Sequence, residues 1–134
     1  MKFKKLTSSQ FQLIIGDFIV LAAVTLYGFA EHGSLSTSGA RPLTTLLPWF
    51  VSWLIMAGHL GLYDSAVYQL PNQLWRTFWG MVLASPIAGF LRSLWLGGSV
   101  TTLFVIIFGG IAAFAILIWR AIFIWVKIQR ARNG

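Results

Sequence analysis

Four long apolar stretches, separated by short polar segments, dominate the hydrophobic pattern of this chain. Each stretch is close to the roughly twenty residues that an α-helix needs to cross the hydrocarbon core of a bilayer. The predicted spans cover residues 11–31, 43–63, 74–96 and 100–126. No connection between them is long enough to separate domains. The pattern therefore predicts an all-α membrane protein, with a single transmembrane domain of four helices over residues 1–134.

The basic residues that flank the spans predict the orientation. Seven of them fall on one side of the predicted membrane, and Arg41 falls on the other. The seven are Lys2, Lys4, Lys5, Arg76, Lys127, Arg130 and Arg132. This asymmetry favours both termini in the cytoplasm, and the short connections make neighbouring helices antiparallel, as in an up-down bundle. The first apolar run has span length with no small-x-small cleavage site after it, so we expect it to be retained.

Composition narrows the possible functions. Hydrophobic residues make up 57% of the chain and charged residues 10%, which is too little polar surface for a soluble domain of this size. The net charge of +7 comes mainly from the cytoplasmic edge, where anionic lipids account for it, so nucleic-acid binding is disfavoured. The sequence has no cysteine, no metal-ligand spacing and no Gly-rich phosphate loop. We therefore expect no enzymatic activity and no metal site.

Two charged residues lie inside the predicted spans at a similar depth. Asp17 is six residues inside Phe11, and Arg120 is six residues inside Val126, which is about 9 Å along each helix. Because an isolated charge in hydrocarbon is costly, we expect Asp17 and Arg120 to form an ion pair between the first and fourth helices. The alternative is an ion or proton relay through Asp17. A permanent guanidinium partner favours the structural clamp, because it stabilises the charged carboxylate.

His59 lies near the cytoplasmic end of the second span, among small residues. Its imidazole could ligate the metal of a tetrapyrrole, with aromatic side chains lining the pigment. Alternatively, the imidazole donates to a backbone carbonyl or to Asp17, while Gly58 and Gly61 permit close helix packing. We favour packing, because a lone intramembrane histidine seldom binds a cofactor. A tetrapyrrole or another pigment at His59 remains the alternative.

Polar residues also gather at the outer ends of the predicted spans. They are Glu31, His32, Arg41 and Arg92. These side chains could bind an anionic ligand, but a solvated ion-pair cluster is the favoured interpretation.

Two prolines lie within the spans and predict helix kinks. Pro48 frees the carbonyl of Thr44, and Pro86 frees that of Val82. Discontinuous transporter helices contain such prolines, as do ordinary kinked spans, which are much commoner. The seven Trp residues lie mostly toward span ends, so we expect interfacial anchoring for most of them.

An ordered set of short motifs extends over nearly the whole chain. It consists of Gly16-Asp17, His32-Gly33, Pro48 then Trp53, Pro86 then Arg92, and Trp119-Arg120. In this order the chain resembles the small bacterial and archaeal membrane family known as domain of unknown function 3054. It departs from that pattern at Trp49, which follows Pro48, and at Ser52, which precedes Trp53. The resemblance implies four spans and a prokaryotic cytoplasmic (inner) membrane, but no activity or cofactor.

The short loops and scarce catalytic residues favour a non-catalytic accessory or scaffold subunit. We expect it to pack with other membrane helices or as a homo-oligomer, and to contact anionic lipids of the bilayer. Such a subunit could also hold a hydrophobic ligand or pigment. The alternative is a small ion or solute carrier that works as a homo-oligomer, which the embedded charges and the two prolines would suit.

Overall fold

The computed structural model describes residues 5–31, 42–99 and 102–134, which form a bundle of helices with no strand in these ranges. The long helices are α1 (Ser8–Glu31), α2 (Leu43–His59), α4 (Leu74–Leu96) and α5 (Thr102–Asn133). Between α2 and α4 lie the single turn α3 (Ser65–Tyr68) and a 3-10 turn (Pro71–Gln73). Within the described ranges, three segments are long and apolar enough to cross a membrane, and α2 is a shorter apolar helix of 17 residues. The expected all-α membrane bundle is confirmed.

The long helices pack around the bundle in chain order. Helix α1 contacts α2, α2 contacts α4, α4 contacts α5, and α5 returns to α1. The core between them is apolar and includes Leu21, Trp49, Met81 and Ile116. Large hydrophobic side chains also cover the outward faces, as expected for helices that face lipid. We call the end of the bundle that holds the start of α1 and the end of α5 the terminal end.

Helix α2 ends at His59, four residues before the end of the predicted span at residue 63. Gly61 has a φ of 69°, and the N–H groups of Gly61 and Leu62 donate to the carbonyls of Gly58 and Ala57. This Schellman arrangement closes a helix through a left-handed residue, a conformation that glycine adopts without strain. Gly61 therefore ends the helix and does not support close packing. Gly58 does not support it either, because a Cβ there would meet open space.

The other helix boundaries lie close to the predicted ones. Helix α4 covers the predicted 74–96, and α5 continues seven residues beyond residue 126. Helix α1 starts three residues before residue 11, because Thr7 and Gln10 form a capping box. The Gln10 N–H donates to Thr7 Oγ1 at 3.2 Å, and the Thr7 N–H donates to Gln10 Oε1 at 2.9 Å.

Small residues let α4 approach its neighbours. A Cβ on Gly80 would lie 3.1 Å from Leu60 Cδ1 and 3.3 Å from Trp53 Cζ3. On α5, Gly109 lies against the Ser85 side chain, so that a Cβ at Gly109 would overlap it. These positions fix how closely α4 packs against α2 and α5.

Both proline-containing helices continue through their prolines. Pro48 is buried within α2, and Pro86 is exposed within α4. Pro86 has no N–H, so the carbonyl of Val82 lacks its helical donor. The neighbouring Ser85 hydroxyl does not replace that donor, because it donates to the carbonyl of Met81 at 2.7 Å.

Candidate functional site

The carboxylate of Asp17 lies at the centre of the candidate site and is completely buried. Arg120 on α5 donates to both of its oxygens, from Nη2 to Oδ2 at 2.7 Å and from Nε to Oδ1 at 3.2 Å. Arg120 is itself only 2% exposed. A bidentate pair of this kind is among the strong hydrogen-bonded contacts in proteins. The two residues expected to pair from their equal depth are therefore in contact, and they join α1 to α5.

Three aromatic side chains complete the surroundings of this carboxylate. Trp53 Nε1 donates to Oδ2 at 2.9 Å, and the Tyr63 hydroxyl donates to the same oxygen at 2.6 Å. Trp119 Nε1 donates to Oδ1 at 3.0 Å. We call Asp17, Trp53, Tyr63, Trp119 and Arg120 the carboxylate cage. Two donors reach Oδ1 and three reach Oδ2, so that all of the roughly four lone-pair sites of the carboxylate are used.

Gly16 positions α1 against α5 at the cage. A Cβ at this position would overlap the ring of Trp119, so only glycine lets the indole lie against the helix. The Trp119 N–H can then reach the carboxylate of the next residue, Asp17. The paired residues Gly16-Asp17 and Trp119-Arg120 thus form one contact between the two helices.

The turn after α2 provides the remaining side of the cage. The left-handed conformation of Gly61 reverses the chain, and the following carbonyl of Leu62 accepts a hydrogen bond from Arg120 Nη1 at 2.8 Å. Tyr63 follows directly and donates to Asp17. The guanidinium carbon of Arg120 also lies 5.0 Å from the centre of the Tyr63 ring and 5.8 Å from that of Trp53. Such cation–π contacts strengthen in a dry environment.

The cage holds one buried carboxylate and one buried guanidinium in direct contact. Its two opposite charges compensate each other, and each is held by several hydrogen bonds. Removing either partner would leave the other charge buried without compensation. The cage therefore links α1, α5 and the end of α2 at a single point inside the bundle.

His59 lies apart from the cage. It is exposed at the end of α2, and its Nδ1 lies 2.8 Å from the carbonyl oxygen of Ile55 in the same helix. The imidazole contacts a backbone carbonyl, one of the two partners considered from the sequence, and does not bond Asp17. With Nδ1 donating, Nε2 is the ring nitrogen that a ligand could use. The described ranges contain no group of three or more His, Asp and Glu residues that could hold a metal ion.

The proposed outer polar cluster falls largely outside the described residues. This applies to His32, to Arg41 and to the side chain of Glu31. Arg92 is half-buried, and its Nε donates to Thr45 Oγ1 at 3.2 Å. Its guanidinium carbon lies 5.1 Å from the centre of the Phe104 ring. Arg92 therefore connects α4 to α2 and α5 near the opposite end of the bundle.

Sequence reasoning did not identify Trp53, Tyr63 and Trp119 as partners of Asp17. Most of the tryptophans are exposed, as interfacial anchoring requires, namely Trp75, Trp79, Trp95 and Trp125. Trp49 and Trp53, however, are completely buried, and Trp119 is half-buried. The available signal was chemical, because a buried indole or phenol needs a hydrogen-bond acceptor and Asp17 is an acceptor within the spans.

Fold and site together define a small helical membrane protein with a buried ion pair between α1 and α5. The chain belongs to the family described as protein of unknown function (DUF3054), whose model matches residues 14–123. All five cage residues fall within this range, and the motifs Gly16-Asp17, Trp53 and Trp119-Arg120 meet at the cage. No curated protein and no solved structure matches the chain.

Proposed function

We propose that this chain is a non-catalytic membrane subunit, an accessory or scaffold protein whose outer faces pack with other membrane helices or with further copies of itself. The observation that carries the proposal is the complete enclosure of Asp17, which is 0% exposed and accepts hydrogen bonds from four side chains. An acid in this setting stabilises a fixed arrangement of helices.

The same enclosure argues against a relay through Asp17. A proton carrier must exchange its proton with water or with a neighbouring acid during each cycle. At Asp17, exchange at either oxygen would require Arg120 and at least one aromatic donor to withdraw from that oxygen. Breaking a buried ion pair costs roughly 3–5 kcal/mol, which makes this carboxylate a poor cycling group.

The outward surface suits contacts with lipid or with neighbouring helices. Along α4, exposed apolar side chains recur at intervals of four or seven residues, which aligns them on one face of the helix. These are Trp75, Trp79, Leu83, Phe90 and Leu94. Such a face can pack against another transmembrane helix or hold a hydrophobic ligand.

The first test is purification from the native membrane in a mild detergent, followed by the particle mass and the absorbance spectrum. We expect a particle heavier than the 14.9 kDa chain that contains other membrane proteins. A visible absorbance band would show that the assembly also contains a pigment. A colourless homo-oligomer that moves ions or solutes across reconstituted liposomes would contradict the subunit proposal.

A second candidate function is a small ion or solute carrier that works as a homo-oligomer. It is favoured by two polar groups of α2, Trp49 Nε1 and Ser52 Oγ, which are buried without a hydrogen-bond partner. These groups lie three residues apart on the same side of the helix and could bind a polar species that enters the bundle. For a carrier, Ser52→Ala would lower flux in liposomes and leave the fold intact. Ser85→Ala is the matched control, since that hydroxyl is already bonded to Met81.

A further inference from the structure

A groove runs along the bundle surface between the first half of α1 and the second half of α5, with a volume of about 460 Å³. Its lining includes the buried Gly16, the half-buried Trp119 and the exposed side chains of Ile15, Ile19 and Ile122. At Gly16 the indole of Trp119 lies directly against α1, because a Cβ at this position would overlap the ring. The length of the groove from Trp119 to Lys127 is eight residues, about 12 Å along the helix.

The terminal end of this groove is positively charged. Lys127 and Arg130 line it one helical turn apart, and no acidic residue is among its lining residues. Lys127 Nζ donates to Ser9 Oγ at 3.0 Å, which fixes the ammonium group and leaves two of its three donors for a ligand. Arg130 is exposed and lies at the rim, and the Gln12 side chain on α1 adds a neutral polar group.

We propose that the groove binds one acidic phospholipid, whose phosphodiester lies between Lys127 and Arg130 and whose acyl chain follows the apolar walls. The charge and the apolar lining each match one part of such a lipid. Lys127 directly follows the last residue of the apolar stretch, which puts its ammonium group at the depth of a lipid phosphate. Basic residues at this depth attract anionic headgroups.

The charge of the chain argues against a second copy as the occupant. The whole sequence has three acidic residues, and Asp17 is enclosed in the carboxylate cage. A second copy could therefore bring few anions to Lys127 and Arg130. A two-fold symmetric contact through this surface would instead place the same cations on both sides.

The test uses the full chain in a neutral maltoside detergent, with bound lipid counted by native mass spectrometry. We expect one dioleoyl phosphatidylglycerol to stay bound per chain, in preference to dioleoyl phosphatidylcholine. Joint substitution Lys127→Gln and Arg130→Gln should weaken phosphatidylglycerol binding about thirtyfold, or about fivefold for each basic side chain. Lys127→Arg should retain binding. Arg132→Gln, which removes an exposed charge outside the groove, should change it by less than about twofold.

A further variant tests the acyl-chain part of the site. Ile122→Trp fills the groove and should weaken binding of the dioleoyl lipid while leaving the far-ultraviolet circular dichroism unchanged. Equal binding of phosphatidylcholine, or unchanged binding by the double variant, would overturn the proposal. If inorganic phosphate at the same concentration displaced the lipid, the groove would be a site for anions in general and the proposed acyl-chain contact would be wrong. Disulfide cross-linking between chains through Ile19→Cys, in a sequence with no other cysteine, would assign the groove to a second copy.

Discussion

The substitution Asp17→Asn should destabilise the fold by stranding Arg120. Asparagine keeps the shape of the side chain but offers one acceptor oxygen and an NH₂ group that can only donate. Of the groups that face it, the Tyr63 hydroxyl can turn round and accept. Trp53, Trp119 and Arg120 can only donate. The single amide oxygen must therefore accept the hydrogen bonds that these three side chains donated to two carboxylate oxygens.

The expected magnitude follows from the burial of the pair. Removing one partner of a buried ion pair typically costs 3–5 kcal/mol, and the 0% and 2% side-chain exposures of Asp17 and Arg120 place this pair in that class. We expect Asp17→Asn and Arg120→Gln each to lower the free energy of unfolding by about 3–5 kcal/mol. The double variant should lose about 2–3 kcal/mol less than the sum, because it leaves no uncompensated charge.

The assay is SDS-induced unfolding in mixed micelles, followed by far-ultraviolet circular dichroism, on the two single variants and the double variant. Thr25→Val on the same helix is the control. It removes a buried hydroxyl that donates to Leu21 at 2.8 Å, and it lies about 12 Å along α1 from Asp17. It should cost about 1 kcal/mol and add to the effect of Arg120→Gln. A coupling energy between Asp17 and Arg120 below about 0.5 kcal/mol would refute the clamp. A folded Asp17→Asn protein that loses ion-dependent flux would support the carrier instead.

Three further predictions concern other parts of the bundle. Gly16→Ala should lower the free energy of unfolding by about 1–3 kcal/mol, because the added methyl group overlaps the indole of Trp119. The control Gly28→Ala on the same helix places its methyl group in open space and should cost nothing or stabilise slightly. Equal effects of the two substitutions in thermal unfolding would argue against the close contact at Gly16. His59→Gln should leave the particle mass and absorbance spectrum of the purified protein unchanged, and loss of a visible band would identify His59 as a pigment ligand. Single cysteines at Ser99 and Asn72 should react with a membrane-impermeant maleimide from opposite sides of the membrane, with Asn72 on the cytoplasmic side; labelling of both from one side would contradict the four-span topology.

Hydropathy predicts the number of helices and most of their limits because the bilayer imposes a length on every span. It misplaces the end of α2, since Leu60, Leu62 and Tyr63 continue the apolar pattern while the backbone reverses at Gly61. Hydropathy contains no information on φ, and a glycine in an apolar run also fits close packing. The early start of α1 arises in the same way from a local contact, the capping box of Thr7 and Gln10.

The contact between Asp17 and Arg120 can be predicted from their depth in the membrane alone, because two opposite charges at the same depth can compensate each other. The aromatic donors do not follow, since depth leaves the direction around the helix axis undetermined. Trp53 points inward and Trp79 outward, although both are tryptophans within spans. Tyr63 reaches the carboxylate through the turn after α2, and a straight helix up to residue 63 would place it elsewhere.

The short length of α2 has a consequence for the backbone that follows it. Seventeen residues extend about 26 Å, several ångströms less than the hydrocarbon thickness of a typical bilayer. Peptide groups in the turn beyond His59 therefore lie where water is scarce and where every open carbonyl is costly. Side chains from the other three long helices donate to carbonyls of this turn, namely Gln10 to Tyr63, Arg76 to Leu60 and Arg120 to Leu62. These long polar side chains take the place of solvent, and a non-helical stretch of chain can thus stay at membrane depth without opening a path for water.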